Sequence, residues 1–132
     1  MPRTAATAPG ETPRSHLPFS PAVRAGELVF VSGQASVDDT GRIVEDSFAG
    51  EMARSMANVE RILAAAGGSM DDVVAVRCYL GRWEDRDEFN RLYPQHFSEP
   101  YPARTTTCGG IGDLKFEIDV VAHIPATGGA DR

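Results

Sequence analysis

The 132-residue chain predicts an α+β fold, a sheet with two helices packed on one face. Three observations lead there. Residues 27–34, 73–80, 102–107 and 115–123 are rich in β-branched and apolar side chains in strand-like patterns. Two stretches among them repeat apolar residues every three or four positions, as helices do. Turn-forming Asp and Gly clusters lie near both ends of this pattern. The order is strand, strand, short hairpin, helix, strand, helix, strand, strand, which belongs to α+β architectures.

Residues 1–15 are rich in Ala, Thr, Pro and Gly without an apolar period, so a flexible tail is expected. They lack the apolar centre of a secretory signal, which implies no export. A single domain is expected over residues 16–123, followed by a second flexible tail over residues 124–132. Gly26 turns the chain into the strand at 27–34. There Leu28, Phe30 and Ser32 alternate with Val29, Val31 and Gly33, so both faces are apolar through residue 31. Gly33 permits close approach by a ligand or another chain, or marks a β-bulge.

Residues 38–42 suit a hairpin or short loop, with residues 42–44 as a short edge strand. A helix starts at Asp46-Ser47, both good N-caps, and Glu51 adds negative charge near its positive end. Phe48, Met52, Met56, Val59, Ile62, Leu63 and Ala66 form its buried stripe, and Gly67-Gly68 stops it. Ser69 and Asp72 form a capping pair before the strand at 73–80, where Val74, Val76, Cys78 and Leu80 share one face and Arg77 and Tyr79 the other. A second helix is expected over residues 83–97, with a stripe of Trp83, Phe89, Leu92, Tyr93, His96 and Phe97, kinked or divided at Pro94. Asn90 lies beside this stripe, where it caps a turn or reaches a pocket.

Pro102 biases Tyr101 toward extended backbone, and Thr105, Thr106 and Thr107 are stiff at χ1, so residues 102–107 read as a buried strand. Arg104, Thr106 and Cys108 share one of its faces. A guanidinium is a planar fork that stays charged, suited to gripping a carboxylate or phosphate with two bonds; the alternative is a structural ion pair with a neighbouring acid. In the last strand Phe116, Ile118, Val120 and Ala122 alternate with Glu117, Asp119, Val121 and His123. If the glycines at 109–112 close a hairpin, Arg104 faces Glu117 across it, with Cβ atoms about 5 Å apart. The expected second sheet face, with Val29, Val31, Tyr79, Val121 and part of the Arg104 strand, calls for subunit association.

Composition narrows the function. Hydrophobic content of 42% and charged content of 24% are ordinary for a soluble globular protein, and no apolar run approaches the roughly 18 residues of a membrane span. Net charge is −6, and the arginines are scattered singly, so neither nucleic acid nor membrane is an expected partner. Cys78 and Cys108 lie in strand patterns rather than a disulfide framework, consistent with a cytoplasmic protein. His16, His96 and His123 are far apart without ligand spacing, so no metal site is expected.

Six segments in order, residues 19–26 (FSPAVRAG), 30–34 (FVSGQ), 58–67 (NVERILAAAG), 89–93 (FNRLY), 102–105 (PART) and 116–122 (FEIDVVA), resemble the RidA or YjgF-like family of reactive-intermediate deaminases. The resemblance implies a chorismate-mutase-like mixed sheet, assembled as a homotrimer with a barrel-like core and clefts between subunits. It implies cofactor-independent hydrolysis of 2-enamino or 2-imino acids to 2-keto acids and ammonia. The family's carboxylate-binding arginine falls on Arg104, its acid near the attacking water on Glu117, and its cleft-lining residues on Phe19, Ser32, Gly33, Asn90 and Thr106. Three positions depart from the family pattern: Leu17-Pro18-Phe19 replaces Gly-Pro-Tyr, the turn at 109–112 is shorter, and Thr106 is branched. A non-catalytic small-carboxylate sensor is the alternative reading. A related deaminase or hydrolase of a degradation pathway is another.

Overall fold

The computed structural model describes residues 3–7 and 17–126. Its strands are β1 (Thr4–Ala5), β2 (Ala22–Ala25), β3 (Leu28–Ala35), β4 (Val73–Leu80), β5 (Ala103–Cys108) and β6 (Phe116–His123), and its helices are α1 (Phe48–Ala65) and α2 (Arg86–Leu92). One six-stranded mixed sheet has the order β1-β2-β3-β6-β4-β5. β4 and β5 run parallel, joined by a crossover that contains α2, and the other neighbours are antiparallel.

Ser47 caps α1, its hydroxyl accepting from the Gly50 amide at 3.1 Å. At the other end Gly67 takes φ +90°, and the amides of Gly67 and Gly68 donate to the carbonyls of Ala64 and Leu63, closing the helix as a Schellman motif. The expected stripe is buried, except that Ala66 is only half-buried. Three polar residues share this buried face. Asn58 donates to the carbonyls of Ala35 and Val37 where β3 runs out, and Ser55 donates back to the Glu51 carbonyl. Glu51 is no mere dipole charge: it is 1% exposed and accepts from the Asp46 and Lys115 amides and the Lys115 amine.

The second helix is divided at Pro94, and also near its start. Single 3₁₀ turns at Trp83–Asp85 and Tyr93–Gln95 flank α2. Trp83 is exposed, with Arg86 stacked on its ring, and does not join the core stripe. Residues 42–44 form no strand; Ile43 makes one isolated bridge to Val37. Thr4 and Ala5, within the expected tail, pair with β2, and Ile124, within the other, is buried with its amide bonded to the Glu27 carbonyl. The rest of those tails, and His16, lie outside the described residues.

Two sheet expectations are corrected. First, Val29 and Val31 face the helices, and it is Leu28 and Phe30 that join Val121 and Tyr79 on the open face. Val74 is exposed because a bulge between Val73 and Ala75 shifts the alternation. Second, β5 and β6 form no hairpin. β6 lies between β3 and β4, so Arg104 neighbours Val76 while Glu117 neighbours Tyr79 and Ala35. β5 is an exposed edge strand, not a buried one. Because Val76 and Tyr79 point to opposite faces of β4, Arg104 lies on the helix side of the sheet and Glu117 on the open side.

Candidate functional site

The residues expected at the site fall into two groups. In the first, β5 directs Arg104 toward α2, where Phe89 and Tyr93, four residues apart, present their rings to the same place. The Arg104 guanidinium carbon lies 4.8 Å from the Phe89 ring centroid and 4.7 Å from that of Tyr93. Its Nη2 donates to Asn90 Oδ1 at 2.8 Å. Two aromatic faces and one amide thus hold the fork in place. No acid among the described residues of the same chain lies within ion-pair distance of it.

Beside Arg104 on the same face, Thr106 Oγ1 is buried without a hydrogen-bond partner, and so is the Tyr93 hydroxyl. Burial pushes the Tyr93 phenol up to about 12. Cys78, next to Thr106 in the sheet, is buried too, and its thiol is likewise pushed up to about 12 by burial, against the pull of the Arg104 charge. Such a thiol is inert at neutral pH. Cys108 is exposed and free.

The second group lies on the open face. Glu117 is half-buried against Gly33, and a Cβ at residue 33 would run into its carboxylate, so this glycine is where the acid needs a bare backbone. Ser32 donates through its hydroxyl to the Ser20 carbonyl at 2.6 Å and through its amide to that of Pro21 at 2.9 Å. These bonds tie the segment carrying the exposed Phe19 to the same end of β3. Burial, and secondarily the charge of Asp119, raise the Glu117 carboxyl above its ordinary range. Asp119 accepts from Arg77 Nε and from the Tyr79 hydroxyl, each at 2.9 Å.

The sheet therefore brings Arg104, Asn90 and Thr106 together, and separately brings Phe19, Ser32, Gly33 and Glu117 together. It does not bring one set to the other within one chain. In sequence Phe89 and Tyr93 belong to the helical stripe, and their four-residue spacing around Asn90 is the local signal for a platform. Among the described residues, no three His, Cys, Asp or Glu side chains gather as they would around a metal ion, and no helix is long and apolar enough to cross a membrane.

Residues 10–124 match the family described as Endoribonuclease L-PSP, which is the RidA/YjgF family. The chain belongs to this family. Among its curated members, the chain is 34% identical over 119 residues to the 3-aminoacrylate deaminase RutC of Acinetobacter baylyi, covering 88% of this chain and 94% of that protein. It is 37% identical over 109 residues to a RutC family protein of Pyrococcus horikoshii, covering 80% and 86%. Among solved family structures, RidA from an Antarctic Psychrobacter superimposes with a TM-score of 0.81 at 29% identity, covering 90% of this chain and 98% of that one. Yeast Mmf1 superimposes with a TM-score of 0.84 at 27% identity, covering 93% and 99%. The RidA/YjgF fold accounts for the mixed sheet with its helices on one side.

Proposed function

We propose that this family member hydrolyses small 2-imino or 2-enamino acids to 2-keto acids and ammonia without a cofactor, in clefts shared by copies of the chain, as a homotrimer. The observation that carries the reading is the Arg104 guanidinium, held by Phe89, Tyr93 and Asn90 with no acid among the described residues of its chain to neutralise it. A fixed, unpaired fork at an exposed strand edge is a carboxylate receptor. The RutC relative, named for deamination of an amino-substituted acrylate, supports a substrate that pairs a carboxylate with an enamine.

Arg104 binds the substrate carboxylate, with Asn90 and Thr106 beside it. Glu117, contributed by another copy, takes a proton from water as the water oxygen bonds to the imine carbon, and passes that proton toward nitrogen. The resulting amino alcohol expels ammonia as its C–N bond breaks, its hydroxyl proton passing to the departing nitrogen and its oxygen becoming the keto oxygen. Fixing the acid and the water beside an electrophilic carbon supplies most of what the reaction lacks in solution. Burial, and secondarily Asp119, raise the Glu117 carboxyl, which makes its carboxylate a stronger base than an ordinary one. Phe19, Ser32 and Gly33 line the acid's side of the cleft.

A ribonuclease, as the family description reads, finds little support in a net charge of −6 with singly scattered arginines. The sensor reading has one observation in its favour: a single chain already carries the carboxylate receptor, with no acid beside it. The test is turnover of an imino acid generated in place by a PLP-dependent enzyme, followed by trapping as the semicarbazone. The parent protein is expected to raise hydrolysis well above the spontaneous rate and Arg104→Ala to return it to that rate. An Arg104→Ala protein as active as the parent overturns the assignment, and a parent that binds keto acid but leaves the spontaneous rate unchanged is a sensor.

A further inference from the structure

The open face carries a polar cluster that the proposed reaction does not use. Asp119 and Glu117 are two residues apart on β6 and project to the same side. Directly across on β4 stand Arg77, opposite Asp119, and Tyr79, opposite Glu117. Tyr79 does not bond to its own partner but reaches diagonally to Asp119 Oδ2, while Arg77 Nε takes Oδ1. Both oxygens of Asp119 are thus satisfied and its charge is fixed in place, on a side chain only 17% exposed.

The Glu117 side chain, by contrast, has no hydrogen-bond partner among the described residues. Its surroundings are few. Asp119 is the acid on its own strand, Tyr79 and Arg77 are the titratable or charged groups on β4, and β3 offers the uncharged Ser32, Gly33 and Gln34. Arg104 is on the other side of the sheet. The charge felt by Glu117 within one chain is therefore set by one fixed anion and the cation paired with it. With Arg77 69% exposed, this cross-strand ion pair adds little to stability, so stability alone is a weak reason for the arrangement.

We propose that Asp119, held by Arg77 and Tyr79, is a positioning residue whose charge, added to the effect of burial, tunes the pH at which Glu117 gives up its proton, and with it the acidic limit of the reaction. The proposal rests on Glu117 acting as the base. Its signature is a pair of opposite displacements from breaking one ion pair. Asp119→Asn removes the anion and leaves the Arg77 cation uncompensated, so Glu117 ionises more readily. Arg77→Met removes the cation and leaves the anion uncompensated, so Glu117 ionises less readily. A loss of packing or of assembly has no reason to give opposite signs.

The experiment follows the ¹³C carboxyl titration of Glu117, assigned with Glu117→Gln, alongside the pH profile of kcat/KM in the parent and both variants. Asp119→Asn is expected to move both the titration and the acidic limb to lower pH by about half a unit or more, and Arg77→Met to move both upward, the scale of a nearby, partly screened unit charge. Should Asp119→Asn fail to fold, Arg77→Met and Tyr79→Phe, which frees one Asp119 oxygen while keeping the ring, carry the test with an upward displacement. A Glu117 titration that does not move, or that moves the same way in Asp119→Asn and Arg77→Met, overturns the coupling whatever the rates. Opposite displacements in a protein that turns over no imino acid support the coupling and overturn the deaminase reading alone.

Discussion

In the proposed reaction, Glu117 serves chemistry at the expense of the fold. Burial disfavours its charged form, so its carboxyl is raised in the folded chain above the value it has when unfolded. Below about pH 4 both states hold the proton and the group is neutral to stability. As pH rises through the unfolded value and then the folded one, the native chain must carry a charge it disfavours, and stability is lost. Glu117→Gln keeps the shape and removes that charge. It is expected to unfold at a higher temperature than the parent at pH 7.5, with the difference closing toward pH 4, while deaminase activity is lost. Thermal unfolding at the two pH values checks it, and a variant no more stable than the parent at pH 7.5 contradicts it.

At the scale of elements, the buried Glu51 joins α1 to the start of β6. Its carboxylate serves the Asp46 amide before the helix and the amide and amine of Lys115 before the strand. Glu51→Ala strands two amides and is expected to cost about 3 kcal/mol in a urea titration, whereas Glu60→Ala, exposed on the same helix, should stay within about 0.5 kcal/mol. From sequence Glu51 looked like a helix-end charge, because periodicity assigns faces to apolar residues and says little of an acid that lies at the stripe's edge. The apolar stripe of α1, its Ser47 cap and the strand at Val73–Leu80 were all legible, since each rests on local pattern alone. The pairing of β5 with β6 was not. The chain leaving β5 crosses the end of β4 before entering β6: Gly109 bonds to the Leu80 carbonyl, Gly81 to that of Lys115, and the Leu114 carbonyl passes where a Cβ on Gly81 would sit. Gly81 was the one local sign of that crossing, and a glycine after a strand is equally the mark of an ordinary turn. The chemistry of Arg104 and Glu117 could be read from residue type, whereas their relation in space depends on a strand order that no local pattern carries.

For the whole molecule, the crossing has a consequence that a hairpin would not. With Arg104 on the helix side and Glu117 on the open side, one ligand touches both only when the two come from different chains. Leu28 and Phe30, 38% and 41% exposed on the open face, are the apolar surface that the proposed assembly would cover. Subunit complementation follows from this. Arg104→Ala and Glu117→Ala are each expected to be inactive alone. Unfolded together in equal amounts and refolded, they assemble at random, and about a quarter of the shared clefts then pair an intact Arg104 with an intact Glu117. Activity should return to about that fraction of the parent's, and should stay absent when the two are refolded apart and assayed before their subunits exchange. A co-refolded mixture as inactive as its components, with assembly of the parent's size, would mean that no cleft draws its arginine and its acid from separate chains.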